Sequence, residues 1–110
     1  EYVHHAMTGR DLDLDGFLAG FSDIVAAFPD ITYSIEHVVA DGERAAVYLV
    51  GTGTHGGDYF LIAPTGKKVT FRGTYHCRVS GGLIVEDWDV FDLLSTLFTL
   101  GAGIRAPNVV

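Results

Sequence analysis

Four stretches rich in β-branched and aromatic residues follow one another through most of the chain: "ITYSIEHVVA", "RAAVYLVGTGT", "KKVTFRGTYHCRV" and "LIVEDWDVF". Such side chains fit a pleated, half-buried surface, so the four runs are predicted to be strands. The turn signals between them are "ADGE" (40–43), "APTG" (63–66) and "VSGG" (79–82). Ahead of them, "DLDLDGFLAGFSDIVAAF" (11–28) places Leu14, Phe17, Leu18, Phe21, Ile24, Val25 and Phe28 at three- and four-residue steps. That spacing predicts a helix from about Leu14 with those residues on one face. Pro29 ends it, and the residue before a proline is biased away from helix. "DLLSTLFTL" predicts a short last helix, with Asp92 as N-cap and Gly101 as its stop. A helix followed by a run of antiparallel strands is an α+β pattern: a curved antiparallel sheet packed on helices, in one domain over 1–110.

The hairpins assign faces. In "CRVSGGLIV" a type I turn followed by a left-handed Gly82 makes a three-residue loop. Val79 then faces Leu83, Cys77 faces Val85, Tyr75 faces Asp87, and Gly73 faces Asp89. The two-residue strand period puts Phe71, Tyr75, Cys77, Val79, Val85, Asp87 and Asp89 on one apolar face. Arg72, Thr74, His76, Arg78, Ile84, Glu86 and Trp88 take the other. A two-residue loop would instead slip the register by one and set His76 opposite Asp87. The "ADGE" hairpin, treated alike, pairs Val39 with Glu43, His37 with Ala45, Ile35 with Val47 and Tyr33 with Leu49. Its apolar face is Tyr33, Ile35, Val47 and Leu49.

These faces bear on "EDWDVFD" (86–92), where four carboxylates surround the only Trp of the chain. Glu86 is expected to point outward with the arginines, and Asp87 and Asp89 inward. An inward carboxylate is costly to ionise, so its pKa rises and it becomes a candidate general acid or base. Asp89 has a structural alternative, as a helix cap or an acceptor of backbone N–H groups. Tyr75 is either a ligand contact or a core residue whose hydroxyl Asp87 satisfies. Cys77 is expected to be buried and inert.

Composition excludes some classes. Seven Lys and Arg against 14 Asp and Glu give a net charge of −7, which disfavours nucleic acid. No apolar run reaches the length of a membrane helix, and "EYVHHAMTGR" has no signal pattern. The single Cys77 allows no internal disulfide and fits a reducing, cytoplasmic compartment. A hydrophobic content of 48% suggests an apolar cavity or a buried dimer face. Trp88, outward among apolar neighbours, is assigned to a homodimer interface rather than to a ligand.

"GTGTHG" (51–56) matches the glycine fingerprint of dinucleotide sites. That chemistry needs a helix N-terminus after the glycines, whereas here a strand continues into "GDYFLIAPTG". The glycines are expected to serve a bend or bulge. The five His residues show no metal-ligand spacing, and adjacent His4 and His5 must diverge. No cofactor and no metal are expected.

"EYVHH", "AFPDITYSIEHVVADGERAAVYLVGTGTH" and "APTGKKVTFRGTYHCRVSGGLIVEDWDVFDLLSTL" resemble the SnoaL-like polyketide cyclases, or ester cyclases. These belong to the nuclear-transport-factor-2-like superfamily, with ketosteroid isomerase. The resemblance covers nearly the whole chain and implies a cone-shaped sheet around a deep pocket for a hydrophobic ligand. It implies cofactor-free intramolecular aldol or isomerase chemistry with Asp89 as acid/base and Tyr75 where polyketide cyclases carry His. His5 matches the His of the family's "YVxH", near the pocket mouth. Asp87 stands where many members have His, making the site more acidic. With Asp89, Tyr75 and Asp87 as candidate catalytic residues, His5, Tyr33, Phe71, Cys77 and Leu49 are the expected ligand contacts. The family also implies a long helix ahead of "YVxH", where this sequence begins, so the expectation is either that the sequence is truncated there or that the pocket is open on that side. The alternatives are a non-catalytic binding domain of the same fold and an epoxide hydrolase of the superfamily.

Overall fold

The computed structural model describes residues 1–101. The elements are β1 (Val3–His5), β2 (Asp11–Leu12), α1 (Leu14–Ala27), β3 (Thr32–Asp41), β4 (Arg44–Thr54), β5 (Lys68–Ser80), β6 (Leu83–Phe91) and α2 (Leu93–Thr99). The strands form one six-stranded sheet in the order β2-β1-β6-β5-β4-β3. Strands β3 to β6 are an antiparallel meander, and β1 lies parallel to β6 at its free edge. The sheet is therefore mixed rather than wholly antiparallel. That parallel pairing sets Val3, His4 and His5 beside Glu86, Asp87 and Trp88.

Helix α1 begins where expected. Asp13 is its N-cap, and its carboxylate accepts the Gly16 N–H at 2.9 Å. Its predicted apolar face is split. Phe17, Phe21 and Ile24 turn to a cavity against the sheet. Leu14, Leu18 and Val25 remain exposed to solvent. Asp92 caps α2 by accepting from the Ser95 N–H at 3.1 Å, and Gly101 takes the left-handed conformation after it.

The core lies at the C-terminal end of α1, where Ala27, Phe28, Val69, Phe71 and Leu100 cluster. The Phe28 ring meets Phe71 edge-on at 4.9 Å and Tyr59 at 5.1 Å. The glycines after β4 close this end. Gly56 and Gly57 donate their N–H groups to the Ala27 carbonyl, at 2.9 and 3.1 Å, satisfying an acceptor that the helix end leaves free. A Cβ on Gly57 would come 2.2 Å from the Ala26 carbonyl oxygen. The "GTGTHG" stretch thus runs out of β4 into helix packing, with no helix following it.

The hairpin registers differ from expectation in a way that leaves the faces nearly intact. The turn between β5 and β6 holds two residues, Gly81 and Gly82, both with positive φ. This shifts the register by one. A bulge then leaves Val85 unpaired, because Val79 faces Ile84 while Arg78 faces Glu86. The second shift cancels the first in face though not in position: Tyr75 faces Asp89, Cys77 faces Asp87, and Gly73 faces Phe91. The β3–β4 hairpin also combines a two-residue turn with a bulge, but its turn lies three positions off the expected register and the bulge takes one back. Its turn is Gly42–Glu43, and a bulge at Glu36 separates Ile35↔Leu49 from His37↔Tyr48. Tyr33 and Ile35 keep the inner face, but His37 moves outward and Val38 takes an inner position opposite Val47.

Gly57→Ala tests the close approach to α1. The added methyl forces the loop off Ala26, and overpacking of this kind costs about 1–3 kcal/mol. A fall in thermal midpoint without change of secondary structure by circular dichroism is the expected outcome.

Candidate active site

Strand β1 delivers its side chains alternately to the two faces of the sheet. Tyr2 and His4 reach the inner face; His5 reaches the outer one. On the inner face they meet Asp87 of β6, which is 2% exposed. Asp87 accepts hydrogen bonds from the Tyr2 hydroxyl at 2.7 Å, the Tyr75 hydroxyl at 2.6 Å and His4 Nδ1 at 2.6 Å. Donors at both carboxylate oxygens balance the loss of water that makes a buried acid costly. Burial, reinforced by the bond to Asp87, holds the phenols of Tyr2 and Tyr75 well above the ordinary tyrosine range.

The bond to Asp87 places the hydrogen of a neutral His4 on Nδ1 and leaves Nε2 as the free nitrogen. His4 Nε2 lies 3.7 Å from Asp89 Oδ1. Asp89 sits one alternation further along β6, on the wall of a cavity of about 430 Å³. The cavity is bounded by His4, Tyr75 and Asp89 on one side and otherwise mainly by apolar and aromatic groups, including Phe17, Phe21, Tyr33, Leu49, Tyr59, Phe71 and Phe91. Among the described residues Asp89 makes no hydrogen bond within 3.5 Å. Burial pushes its carboxyl above the usual carboxylate range; nearby His4 opposes the shift and Asp87 adds to it. Burial also raises Tyr33, whose phenol feels the Asp89 charge.

The structure brings together most of the residues singled out in the sequence. Asp89, Tyr75, Tyr33, Leu49 and Phe71 line the cavity. Asp87 lies behind the wall, holding His4 and Tyr75. Cys77 is buried on the same face, opposite Asp87, but does not reach the cavity. His5 is the correction. It stacks on Trp88 on the outer face, with ring centroids 4.8 Å apart, and its nitrogens lie 2.7 Å from Asp11 and Glu86 carboxylate oxygens. The physical reason is strand alternation, because only one of two adjacent histidines can face inward. His4 is the inward one, and sequence reasoning missed it together with Tyr2. The sequence carries only their two-residue spacing, which puts Tyr2 and His4 on one face of any strand; the acid beside them is set by the pairing with β6.

A sheet wrapped on two helices, enclosing an apolar cavity with acid and imidazole on its wall, defines the nuclear-transport-factor-2-like class of α+β proteins. The family model described as SnoaL-like polyketide cyclase matches residues 1–100, and the chain belongs to that family. IdmH, a candidate polyketide cyclase from Streptomyces antibioticus, is 30% identical, with a TM-score of 0.81 over 92% of this chain and 79% of its own. AclR, a candidate hydroxylase from Streptomyces galilaeus, is 26% identical, with a TM-score of 0.86 over 97% of this chain and 68% of its own. A candidate SnoaL-like polyketide cyclase from Jannaschia sp. CCS1 has the same fold at 18% identity, with a TM-score of 0.85 over 94% of this chain and 72% of its own. Comparison with curated protein sequences finds no match.

Asp87→Asn tests the buried hydrogen-bonded cluster. An amide offers one accepting oxygen where the carboxylate has two and is uncharged, so the three donors cannot all keep their present charge-assisted bonds. The expected loss is roughly 1.5–3 kcal/mol, the worth of a hydrogen bond to a charged group, read from the denaturant midpoint at constant m-value.

Proposed function

We propose that this chain is a cofactor-free enzyme of the SnoaL-like family, acting on a hydrophobic carbonyl compound by acid/base chemistry. The observation that carries the proposal is Asp89: a carboxylate on an apolar cavity wall, raised in pKa, without a hydrogen-bond partner among the described residues, and 3.7 Å from His4 Nε2. Asp89 takes the proton from the carbon α to a substrate carbonyl. In its doubly protonated form His4 keeps its Nδ1 hydrogen on Asp87 and offers the one on Nε2 to the enolate oxygen that forms. The enolate carbon attacks a second carbonyl of the same molecule, forming a carbon–carbon bond. The resulting alkoxide takes the proton back from Asp89. Atoms and charge balance with no redox partner, so this chemistry requires no cofactor. Tyr75 is a positioning group here, because its hydroxyl already donates to Asp87.

The test is exchange of α-hydrogens of a hydrophobic diketone into deuterated water. Asp89→Asn should reduce the rate by about 10²–10⁴, the usual worth of a general acid/base. A raised carboxyl pKa means that the ionised form is disfavoured in the folded state. Asp89 therefore subtracts stability at neutral pH, and this penalty fades as pH falls through its folded pKa towards the unfolded value. The Asn variant should melt at or above the wild-type temperature at pH 7, with the advantage shrinking in acid. Ligand binding unaffected by the substitution, with no exchange from either protein, would identify a binding domain instead.

The same reading includes a homodimer through the outer sheet face, in a cytoplasmic protein without nucleic-acid or membrane partners. Trp88 lies there between the rings of His5 and His76, while Val39 and Val90, 68% and 60% exposed, stay uncovered on that face. Light scattering at micromolar concentration should give twice the chain mass of 11.8 kDa, and a single-chain mass counts against it.

A further inference from the structure

The outer face carries a second cluster of ionisable groups, and its centre is on β1. His5 Nδ1 lies 2.7 Å from Asp11 Oδ1, and Nε2 lies 2.7 Å from Glu86 Oε2. A carboxylate can only accept, so two such bonds require hydrogen on both nitrogens, and the ring is an imidazolium. Arg78 holds the other Glu86 oxygen from β5, with Nε at 3.0 Å. The imidazolium stacks on Trp88, whose ring is also stacked with His76 at 4.9 Å and lies beneath the Arg44 guanidinium at 5.8 Å. The charged and titratable groups around His5 are thus Asp11 on β2, Glu86 on β6, and, one layer further, Arg78, Arg44 and His76.

Strand β1 has only three residues, and it presents His4 to the inner face beside His5 on the outer face. Inside, its fastening is the Tyr2 and His4 bonds to Asp87. Outside, it is the His5 imidazolium. Only the outer fastening requires a charge on the histidine that makes it: a neutral His5 has one N–H and must leave one carboxylate facing a lone pair.

We propose that His5 is a positioning residue: as an imidazolium it bridges β2 and β6, fixes β1 against β6, and so sets His4 Nε2 at its place opposite Asp89, and its deprotonation releases β1. The proposal concerns how the site is held and stands whether or not the cavity catalyses a reaction. Its pH dependence has a definite sign. The bonds to Glu86 and Asp11 raise His5 above the ordinary histidine value of 6.5. Its contribution is therefore fully present below 6.5 and is lost as pH rises through the raised folded pKa.

The test is an NMR titration of the histidine rings, joined to amide hydrogen exchange across the same pH range. In the wild type His5 should titrate with a midpoint above 6.5. At that midpoint the His4 ring resonances should show an inflection, and β1 amides should lose protection relative to β4 and β5. Glu86→Gln removes one acceptor and should move the midpoint down. His5→Gln should leave β1 weakly protected at every pH. His5→Arg, a cation that does not titrate in this window, should keep β1 protected and abolish the inflection at His4. A His5 midpoint at or below 6.5 overturns the proposal, and that measurement needs only the wild type. So does a His5 titration that leaves both the His4 ring and β1 exchange unchanged, or an alkaline loss of β1 protection that persists in His5→Arg.

Discussion

The site depends on one buried carboxylate. Asp87 is placed by strand alternation where water cannot reach it, and an ionised acid there is tolerated only with donors around it. Its three donors are Tyr2 just ahead of β1, His4 on β1 and Tyr75 on β5. Satisfying it therefore docks the N-terminal strand, orients an imidazole and occupies two phenols at once. Asp89, two residues later on the same strand and on the same face, is left to the cavity. Two acids of identical chemistry are separated into a structural anchor and an open group by nothing more than which donors each can reach.

The opposite face repeats the arrangement. Glu86 and Trp88 alternate with Asp87 and Asp89, so one stretch of β6 fastens β1 from both sides. His4 and His5 are the matching pair on β1. Adjacent histidines beside adjacent acids form two separate contacts, one buried and one open to water, because a strand turns consecutive side chains apart. The inner contact is dry and joined to a cavity. The outer one is a solvent-facing ion cluster around the single Trp.

Most of the fold was legible in the sequence. The helical spacing of Leu14 to Phe28, the strand runs and the Asp92 cap depend on local preferences that the structure keeps. The inward placement of Asp87 and Asp89 was legible too, although the expected turn geometry was not the one adopted. Two-residue turns moved the registers by one in β5–β6 and by three in β3–β4; the bulge at Val85 added one and the bulge at Glu36 took one back, so both hairpins ended two positions from expectation and most side chains kept their expected faces. Parity is robust where an apolar face must be buried, since a net shift of one would expose the whole face. The exact partner is not: Tyr75 faces Asp89 rather than Asp87, a displacement of two that keeps both residues on the inner face.

What the chain determined by itself was the alternation of its residues, and hence that Asp87 and Asp89 share a face that Glu86 and Trp88 do not. Alternation is local and needs no partner. What only the tertiary structure decided was the neighbour of β6. The segment "YVHH" is too short to declare itself a strand, and its parallel pairing joins residues some 80 positions apart. That pairing selects His4 rather than His5 for the cavity and supplies Tyr2 to Asp87. It follows from the free edge that the meander leaves at β6, a constraint that exists only once the sheet has formed.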